Sequence, residues 1–135
     1  MITEQSPVQK NTINSFEDII AWQKARQLTK EIYQITKHSS FNNDYGLKDQ
    51  IRRATVSIMS NIAEGFARQN LNEFAHFLSI AKGSCAEVYS QLVVAFDASY
   101  ISEETFQHLK QISLEVKLII GSFRQSIKNV KNQKK

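Results

Sequence analysis

The residues best suited to chemistry lie between Gln50 and Arg68, where polar side chains recur at helical spacing along one side. We call this row the polar seam, and its members are Arg53, Ser57, Ser60, Asn61, Glu64 and Arg68. Glu64 is its single carboxylate, and a lone carboxylate without a basic partner or a metal ion is a poor general acid or base. We therefore interpret the seam as a hydrogen-bonded network that fixes the register of helices or subunits. An enzyme that uses Glu64 and its neighbours is the rival interpretation.

The histidines and the single cysteine do not form a recognisable catalytic or metal site. His38, His76 and His108 have no acid or cysteine at ligand spacing, and the chain lacks an H-E-x-x-H sequence. Cys85 falls among the apolar residues of a helical pattern, which is typical of a small buried side chain. One cysteine also excludes an internal disulfide. We expect no enzymatic activity, no cofactor and no metal ion.

Lysine and arginine residues are the remaining candidates for a binding function. The formal net charge is +4, and residues 128–135 contain four lysines and no acid. Such side chains contact phosphate groups or an acidic partner without reading bases. We predict these contacts for Lys24, Lys30, Arg52, Arg53, Arg68, Lys128, Lys131, Lys134 and Lys135, and Lys48 extends the same basic surface on the side of the first two helices. The alternative is a solvated face and a frayed, solubilising C-terminus.

Hydrophobic periodicity predicts four amphipathic helices that must position these side chains. They span about residues 15–38, 45–69, 71–99 and 102–127, and the third has apolar steps of four and three from Phe74 to Ala95. Ser15, Asn70 and Ser102 are suitable N-caps. Short connections between long helices favour an antiparallel up-down-up-down four-helix bundle.

The segments that flank the helices are polar. Residues 1–14 lack periodicity, so we predict a disordered leader there, a bundle over residues 15–127 and a basic tail over residues 128–135. No stretch approaches the roughly 18 consecutive apolar residues of a membrane span. The N-terminus also lacks the apolar core of a secretory signal. We therefore expect a cytoplasmic protein that makes no membrane contact.

The second predicted helix carries more apolar surface than one bundle can cover. Its first apolar stripe consists of Ile51, Ala54, Ile58 and Ile62. A second apolar stripe lies beside it and consists of Val56, Met59, Ala63 and Phe66. We expect this second stripe and part of the polar seam to pack against another copy of the chain. The predicted interface residues are Val56, Ser57, Met59, Asn61, Ala63, Glu64 and Phe66.

Small residues predict a close approach between the second and third helices. If the connection centres on Asn70, Gly65 faces Ala75 and Ser57 faces Gly83. A glycine inside a helix costs about 1 kcal/mol relative to alanine. Two such glycines on adjoining helices indicate that the backbones need the space.

Several motifs resemble those of one bacterial family. From Ile51 to Arg68 the chain reads I-R-R-A-x-V-S-I-x-S-N-I-A-E-G-x-x-R, and residues 77–84 read F-L-S-I-A-K-G-S. Phe16-Glu17-Asp18 with Trp22 and the Tyr100-Ile101 turn fit as well. Over residues 15–127 the chain resembles the four-helix-bundle proteins first noted as products of intervening sequences in 23S ribosomal RNA genes. Met59, where proline is common, and Cys85-Ala86-Glu87, in place of Leu-x-Glu, depart from the pattern.

The resemblance implies a fold and a function. Relatives in this family include the accessory variability determinants of diversity-generating retroelements. The resemblance to these relatives implies a barrel built from five four-helix protomers. Those relatives bind the reverse transcriptase and its template RNA. We therefore expect a ring-like homopentamer and an accessory protein whose partners are a reverse transcriptase, RNA and also DNA. A scaffold or interaction protein with no nucleic-acid role is the alternative, because other members of the family have no assigned activity.

Overall fold

The computed structural model describes residues 2–3 and 12–133. In this part of the chain, five α-helices dominate and the all-α prediction is confirmed. The strands are β1, Ile2–Thr3, and β2, Thr12–Ile13, and a 3-10 turn spans Phe16–Asp18. The helices are α1, Ile20–Ile35; α2, Ser39–Asn43; α3, Tyr45–Ala67; α4, Leu71–Asp97; and α5, Glu103–Gln133.

The first predicted helix is divided near its start. The Asp18 carboxylate accepts hydrogen bonds from the backbone N–H groups of Asn14 and Ser15, at 2.9 and 3.1 Å, and so fixes the 3-10 turn. Ile19 then adopts an extended conformation, with φ −78° and ψ 119°. Because that conformation interrupts the helical hydrogen bonds, α1 begins at Ile20 instead of near Ser15.

Side-chain caps set the beginnings of the three longest helices. Asp44, Asn70 and Ser102 each accept a hydrogen bond from the backbone N–H three residues further on, at 3.0–3.1 Å. The caps predicted at Asn70 and Ser102 are confirmed. Two boundaries differ from prediction, since α2 occupies a segment expected to be a loop and α5 continues to Gln133, past the expected end near residue 127. No glycine or proline interrupts residues 122–133, so nothing in that segment stops the helix.

The four long helices run antiparallel around one core. Lys24 and Glu31 of α1 contact Glu115 and His108 of α5, so the residue numbers rise along α1 as they fall along α5. Helix α1 packs against α3 and α5, and α4 packs against the same two helices. Each long helix therefore has two neighbours, and α1 lies diagonally across from α4.

The predicted apolar stripes form the core. The first stripe of α3 is buried from Ile51 to Ile62, and all seven residues of the α4 pattern between Phe74 and Ala95 are buried as well. Cys85 belongs to that pattern and has a side chain that is 1% exposed. In the described residues, no helix is both long enough and apolar enough to cross a membrane.

The end of the predicted leader is ordered. Thr12–Ile13 pairs antiparallel with Ile2–Thr3, and Ile13 is 1% exposed within the core. Within the segment predicted as a disordered leader, residues 2–3 and 12–13 thus pair as strands, and burial of Ile13 anchors the segment to the bundle. Residues 1 and 4–11 of the leader lie outside the described part of the chain.

Gly65 marks a close approach between α3 and α4. A Cβ atom added at Gly65 would lie 2.8 Å from Phe77 Cβ and 2.9 Å from Phe74 Cδ1, so the predicted close approach at this glycine is present. The prediction for Gly83 is wrong, since a Cβ atom there would meet nothing within 4 Å. The register places Ser84 opposite Ser57, and Gly83 points to solvent.

Candidate nucleic-acid interface

Five basic residues share the side of the bundle formed by α1 and α3, and we call them the basic face. They are Arg26, Lys30, Lys37, Lys48 and Arg52. At 3.6 residues per turn, Arg26 and Lys30 lie on the flank of α1 that carries Tyr33, whose ring contacts Arg52 of α3. Lys24 and Glu31 lie on the other flank of α1, where they contact α5.

The charges of the basic face are not neutralised by neighbouring carboxylates. The ion pairs of the described residues are Lys24–Glu115, Arg53–Asp49, Arg68–Glu64, Arg68–Glu73 and His108–Glu31, and none includes a basic-face residue. Residues 20–53 contain seven lysines and arginines against three acids. Of the three acids, Glu31 contacts His108 of α5 and Asp49 pairs with Arg53, so Asp44, which accepts from Tyr100 at the start of α3, is the one that keeps its charge next to the basic face. This side of the molecule is therefore positively charged.

Aromatic rings accompany three of these cations. The guanidinium of Arg52 lies 4.4 Å from the centre of the Tyr33 ring. The ammonium of Lys48 lies 5.1 Å from the Tyr45 ring. The Arg26 guanidinium lies 5.9 Å from the ring of Trp22, which itself contacts Phe16 edge-on. Cations alternating with aromatic rings are typical of surfaces that bind single-stranded nucleic acid.

Arg52 also joins the two helices of this face. Its Nε donates a hydrogen bond of 2.8 Å to Thr36 Oγ1, and its Nη2 donates one of 3.3 Å to the Tyr33 carbonyl. Thr36 is fully buried, and its hydroxyl donates to the Ile32 carbonyl at 2.8 Å. Arg52 is therefore a structural clamp between α1 and α3 as well as a positive charge.

The structure separates the predicted binding residues into two groups. Lys24, Arg53 and Arg68 are engaged in ion pairs with carboxylates, so their charges are largely compensated. Lys30 is exposed and has no carboxylate partner among the described residues, and Arg52 is half-buried in its clamp. Arg26 and Lys37 belong to the basic face but are not among the binding residues predicted from the sequence. Arg26 lies one helical turn from Lys30 on α1, and that spacing is the signal that could have revealed it, whereas Lys37 lies in the turn after α1.

Of the predicted tail residues, Lys128 lies on α5 and not on the two helices of the basic face. Lys128 is exposed on α5, towards the end of that helix. Lys131 belongs to the same helix, but its side chain lies outside the described part of the structure. Lys134 and Lys135 lie outside the described residues.

The polar seam makes hydrogen bonds inside the chain. Ser57 Oγ and Ser84 Oγ lie 2.9 Å apart, and Asn61 Nδ2 donates to the Ser57 carbonyl and hydroxyl at 2.8 and 3.0 Å. Ser84 Oγ donates to the Ile80 carbonyl at 3.3 Å. The seam thus links α3 to α4, which matches its interpretation as a network that sets helix register.

Glu64 forms an ion pair with Arg68. Its Oε1 accepts a hydrogen bond of 2.9 Å from Arg68, one turn further along α3, and both side chains are about half exposed. Arg68 also lies 5.1 Å from the Phe77 ring of α4. Within the described residues, no group of His, Cys, Asp or Glu could hold a metal ion. Glu64 therefore pairs with Arg68 at the end of its own helix, and Arg68 makes the contacts to α4.

The second apolar stripe of α3 is partly covered. Val56 is 40% exposed, whereas Met59, Ala63 and Phe66 are half-buried. Phe66 packs edge-on against Phe74 of α4, with ring centres 6.1 Å apart. The chain itself therefore shields more of this stripe than its sequence pattern predicted.

These features define a helical-bundle protein with a basic face and no assembled catalytic centre in the part described. The family model for the 23S rRNA-intervening sequence protein matches residues 17–122. The chain belongs to that family, as its sequence motifs predicted.

A solved structure supports the fold. The chain is similar to a crystal structure from Bacteroides thetaiotaomicron, described as a protein with unknown function from the S23 ribosomal protein family. The two share 21% sequence identity and superpose with a TM-score of 0.73, over 78% of this chain and 96% of the other. At that identity the likeness concerns the fold alone. None of the curated proteins matches the chain.

Proposed function

We propose that this protein is a non-enzymatic accessory subunit that binds RNA through its basic face. The observation that carries the proposal is the charge pattern, since five cations share one side of the bundle and none has a carboxylate partner in the described residues. Lysines and arginines whose charge no carboxylate compensates can attract phosphate groups. Contacts of this kind supply affinity without base specificity.

The biological setting that fits this activity is a diversity-generating retroelement. In that setting the protein would hold template RNA, and then the DNA copy, close to a reverse transcriptase. The family resemblance supports this role, and the basic face provides a surface for the nucleic acid. A reverse transcriptase encoded next to this gene should co-purify with the protein, and failure of the purified pair to associate would remove the retroelement role.

Several copies of the chain, in our proposal five in a ring, would act together. One basic face offers few phosphate contacts, whereas linked faces raise the affinity through effective concentration. The second stripe of α3 supports assembly, because Val56 is a large apolar residue that is 40% exposed. Sedimentation should give a mass several times the 15.5 kDa of one chain. A single-chain mass at every concentration would exclude this assembly.

A salt series tests the RNA-binding proposal. Affinity for a labelled RNA is measured between about 50 and 200 mM salt, where phosphate contacts have a strong effect. Neutralising Lys30 and Lys37 together, as Lys30→Gln/Lys37→Gln, should reduce the slope of log affinity against log salt by about 1.4–1.8.

The matched control removes the same formal charge from paired residues. Lys24→Gln/Arg53→Gln also neutralises two cations, but both are engaged with carboxylates in the wild-type protein. We expect the control to lower the slope much less. Absence of RNA binding at low salt, or equal effects of the two double variants, would refute the proposal.

A scaffold that binds only proteins is the second candidate function. It is favoured by exposed apolar side chains on α4 and α5, since Val93 and Leu114 line one surface hollow and Leu114 lines a second with Leu118, which is 74% exposed. Single exposed apolar residues are common, but several together mark an interaction surface. A protein that binds its partners while showing no affinity for RNA at low salt would belong to this class.

A further inference from the structure

We propose that the basic face takes single-stranded RNA, with one unpaired base stacked on the ring of Tyr45. This inference rests on the proposed RNA binding and names the form of nucleic acid that the site prefers. The feature that leads to it is an aromatic ring held in solvent beside two cations. Bases in a duplex are stacked on each other, so such a ring can pair only with a base that is free.

Tyr45 is unusually exposed for a large aromatic residue. It is the first residue of α3, and 72% of its surface is accessible. In the described residues it is the one aromatic side chain among the exposed large hydrophobic ones. The other rings of this side are less accessible, since Tyr33, beside the Arg52 guanidinium, and Trp22, against Phe16, are both half-buried. Tyr45 is therefore the ring that a ligand can reach.

The cations next to Tyr45 lie in line with it. Tyr45, Lys48 and Arg52 are spaced by three and four residues, which places them on one side of α3 over about 10 Å of helix axis. Lys48 is positioned by two contacts, because its ammonium lies 5.1 Å from the Tyr45 ring and donates a 3.0 Å hydrogen bond to Asn42 Oδ1. A strand whose base stacks on Tyr45 can thus run its phosphates along the basic face.

Asp44, the residue before Tyr45, favours a base over a phosphate group as the part of the RNA that contacts the ring. Asp44 accepts hydrogen bonds from the Leu47 backbone N–H at 3.1 Å and from the Tyr100 hydroxyl at 2.8 Å. These two bonds, the Leu47 one first, lower the pKa of Asp44, so its carboxylate is ionised at neutral pH. The negative charge repels phosphate at the start of α3 and leaves the neutral base as the group that fits there.

The experiment compares one RNA strand with the duplex made from it. Fluorescence anisotropy measures the affinity of each for the full-length wild-type protein and for Tyr45→Ala. Stacking on an aromatic ring contributes on the order of 1–3 kcal/mol per base, so Tyr45→Ala should weaken single-strand binding by roughly 5- to 150-fold. Duplex affinity and the salt slope should stay unchanged, because no charge is removed.

Tyr45→Phe is the matched control, since it keeps the ring and removes only the hydroxyl. We expect it to bind the single strand like the wild type. Thermal unfolding checks that both variants fold, and the exposure of Tyr45 predicts melting temperatures close to that of the wild type. Equal single-strand affinity of Tyr45→Ala and wild type, or equal losses for strand and duplex, would overturn the stacking inference. Loss of the salt slope in Lys30→Gln/Lys37→Gln would then still support the proposed RNA binding, whereas absence of all RNA binding would remove both.

Discussion

Replacement of Gly65 by alanine should destabilise the protein, although alanine is the better helix former. Gly65 lies inside α3 and faces α4 where the two helices pack closely. The added methyl group would lie 2.8 Å from Phe77 Cβ and 2.9 Å from Phe74 Cδ1. Phe77 Cβ is attached directly to the α4 backbone, and the Phe74 ring is held between Phe66 and Phe123. Neither atom can withdraw without moving α4.

The size of the effect follows from two opposing terms. Overpacking of a well-filled core costs about 1–3 kcal/mol, and a contact between two Cβ atoms belongs at the upper end of that range. Alanine recovers about 1 kcal/mol of helix propensity. The free energy of unfolding of Gly65→Ala should therefore fall by about 2 kcal/mol.

Gly83→Ala provides the control within the same pair of helices. A methyl group at Gly83 meets nothing within 4 Å, so the propensity term acts alone and the variant should gain up to about 1 kcal/mol. Urea unfolding followed by circular dichroism gives both values, provided that the m-value stays constant. If Gly65→Ala is as stable as the wild type, or responds like Gly83→Ala, the close contact between α3 and α4 is wrong.

Three further predictions test the clamp, the cap and the core. Arg52→Met should lower the free energy of unfolding by about 1.5–3 kcal/mol, because the hydrogen bonds that it removes come from a charged donor. Arg53→Met removes an exposed ion pair and should leave the stability nearly unchanged. Equal urea midpoints of the two variants would contradict the role of Arg52. A backbone N–H and the Tyr100 hydroxyl lower the pKa of Asp44, so the stability they contribute is present above its unfolded pKa and is lost as the pH falls through the folded pKa. Tyr100→Phe should therefore weaken the fall in urea midpoint from about pH 6 to about pH 3, and an unchanged acid dependence would refute the role of this hydrogen bond. Burial raises the pKa of Cys85 to about 12. At about pH 8 the thiol of the native protein should therefore react with a disulfide reagent roughly a thousandfold more slowly than the thiol of the protein unfolded in urea. Rapid labelling of the native protein would show that the thiol is accessible.

The helices could be predicted from the sequence because their signals are local. The first apolar stripe of α3 and the seven apolar residues of α4 from Phe74 to Ala95 are buried as predicted. Hydrophobic periodicity identifies the side of a helix that faces the core. The break at Ile19 and the short helix α2 were missed. Both depend on backbone and packing choices within a few residues, where propensities differ by less than 1 kcal/mol.

The candidate site was predicted less completely. Lys30 and Arg52 were identified among the cations, but Lys24 was grouped with them although it pairs with Glu115, a residue of α5. The clamp that Arg52 makes with Thr36 also joins residues from different helices, at 2.8 Å. Sequence spacing within one helix carries no information about contacts of this kind.

The chain by itself determined its helices, its family and its lack of a recognisable catalytic motif, because each depends on residue types at short spacing. The tertiary structure decided which cations are compensated and which are free to bind. An acid neutralises a base only when folding brings the two within a few ångströms, and Glu31 meets His108 from 77 positions away in the chain. The antiparallel packing of α1 against α5 directs the α1 carboxylate away from α3, and this is the reason that the basic face keeps its charge.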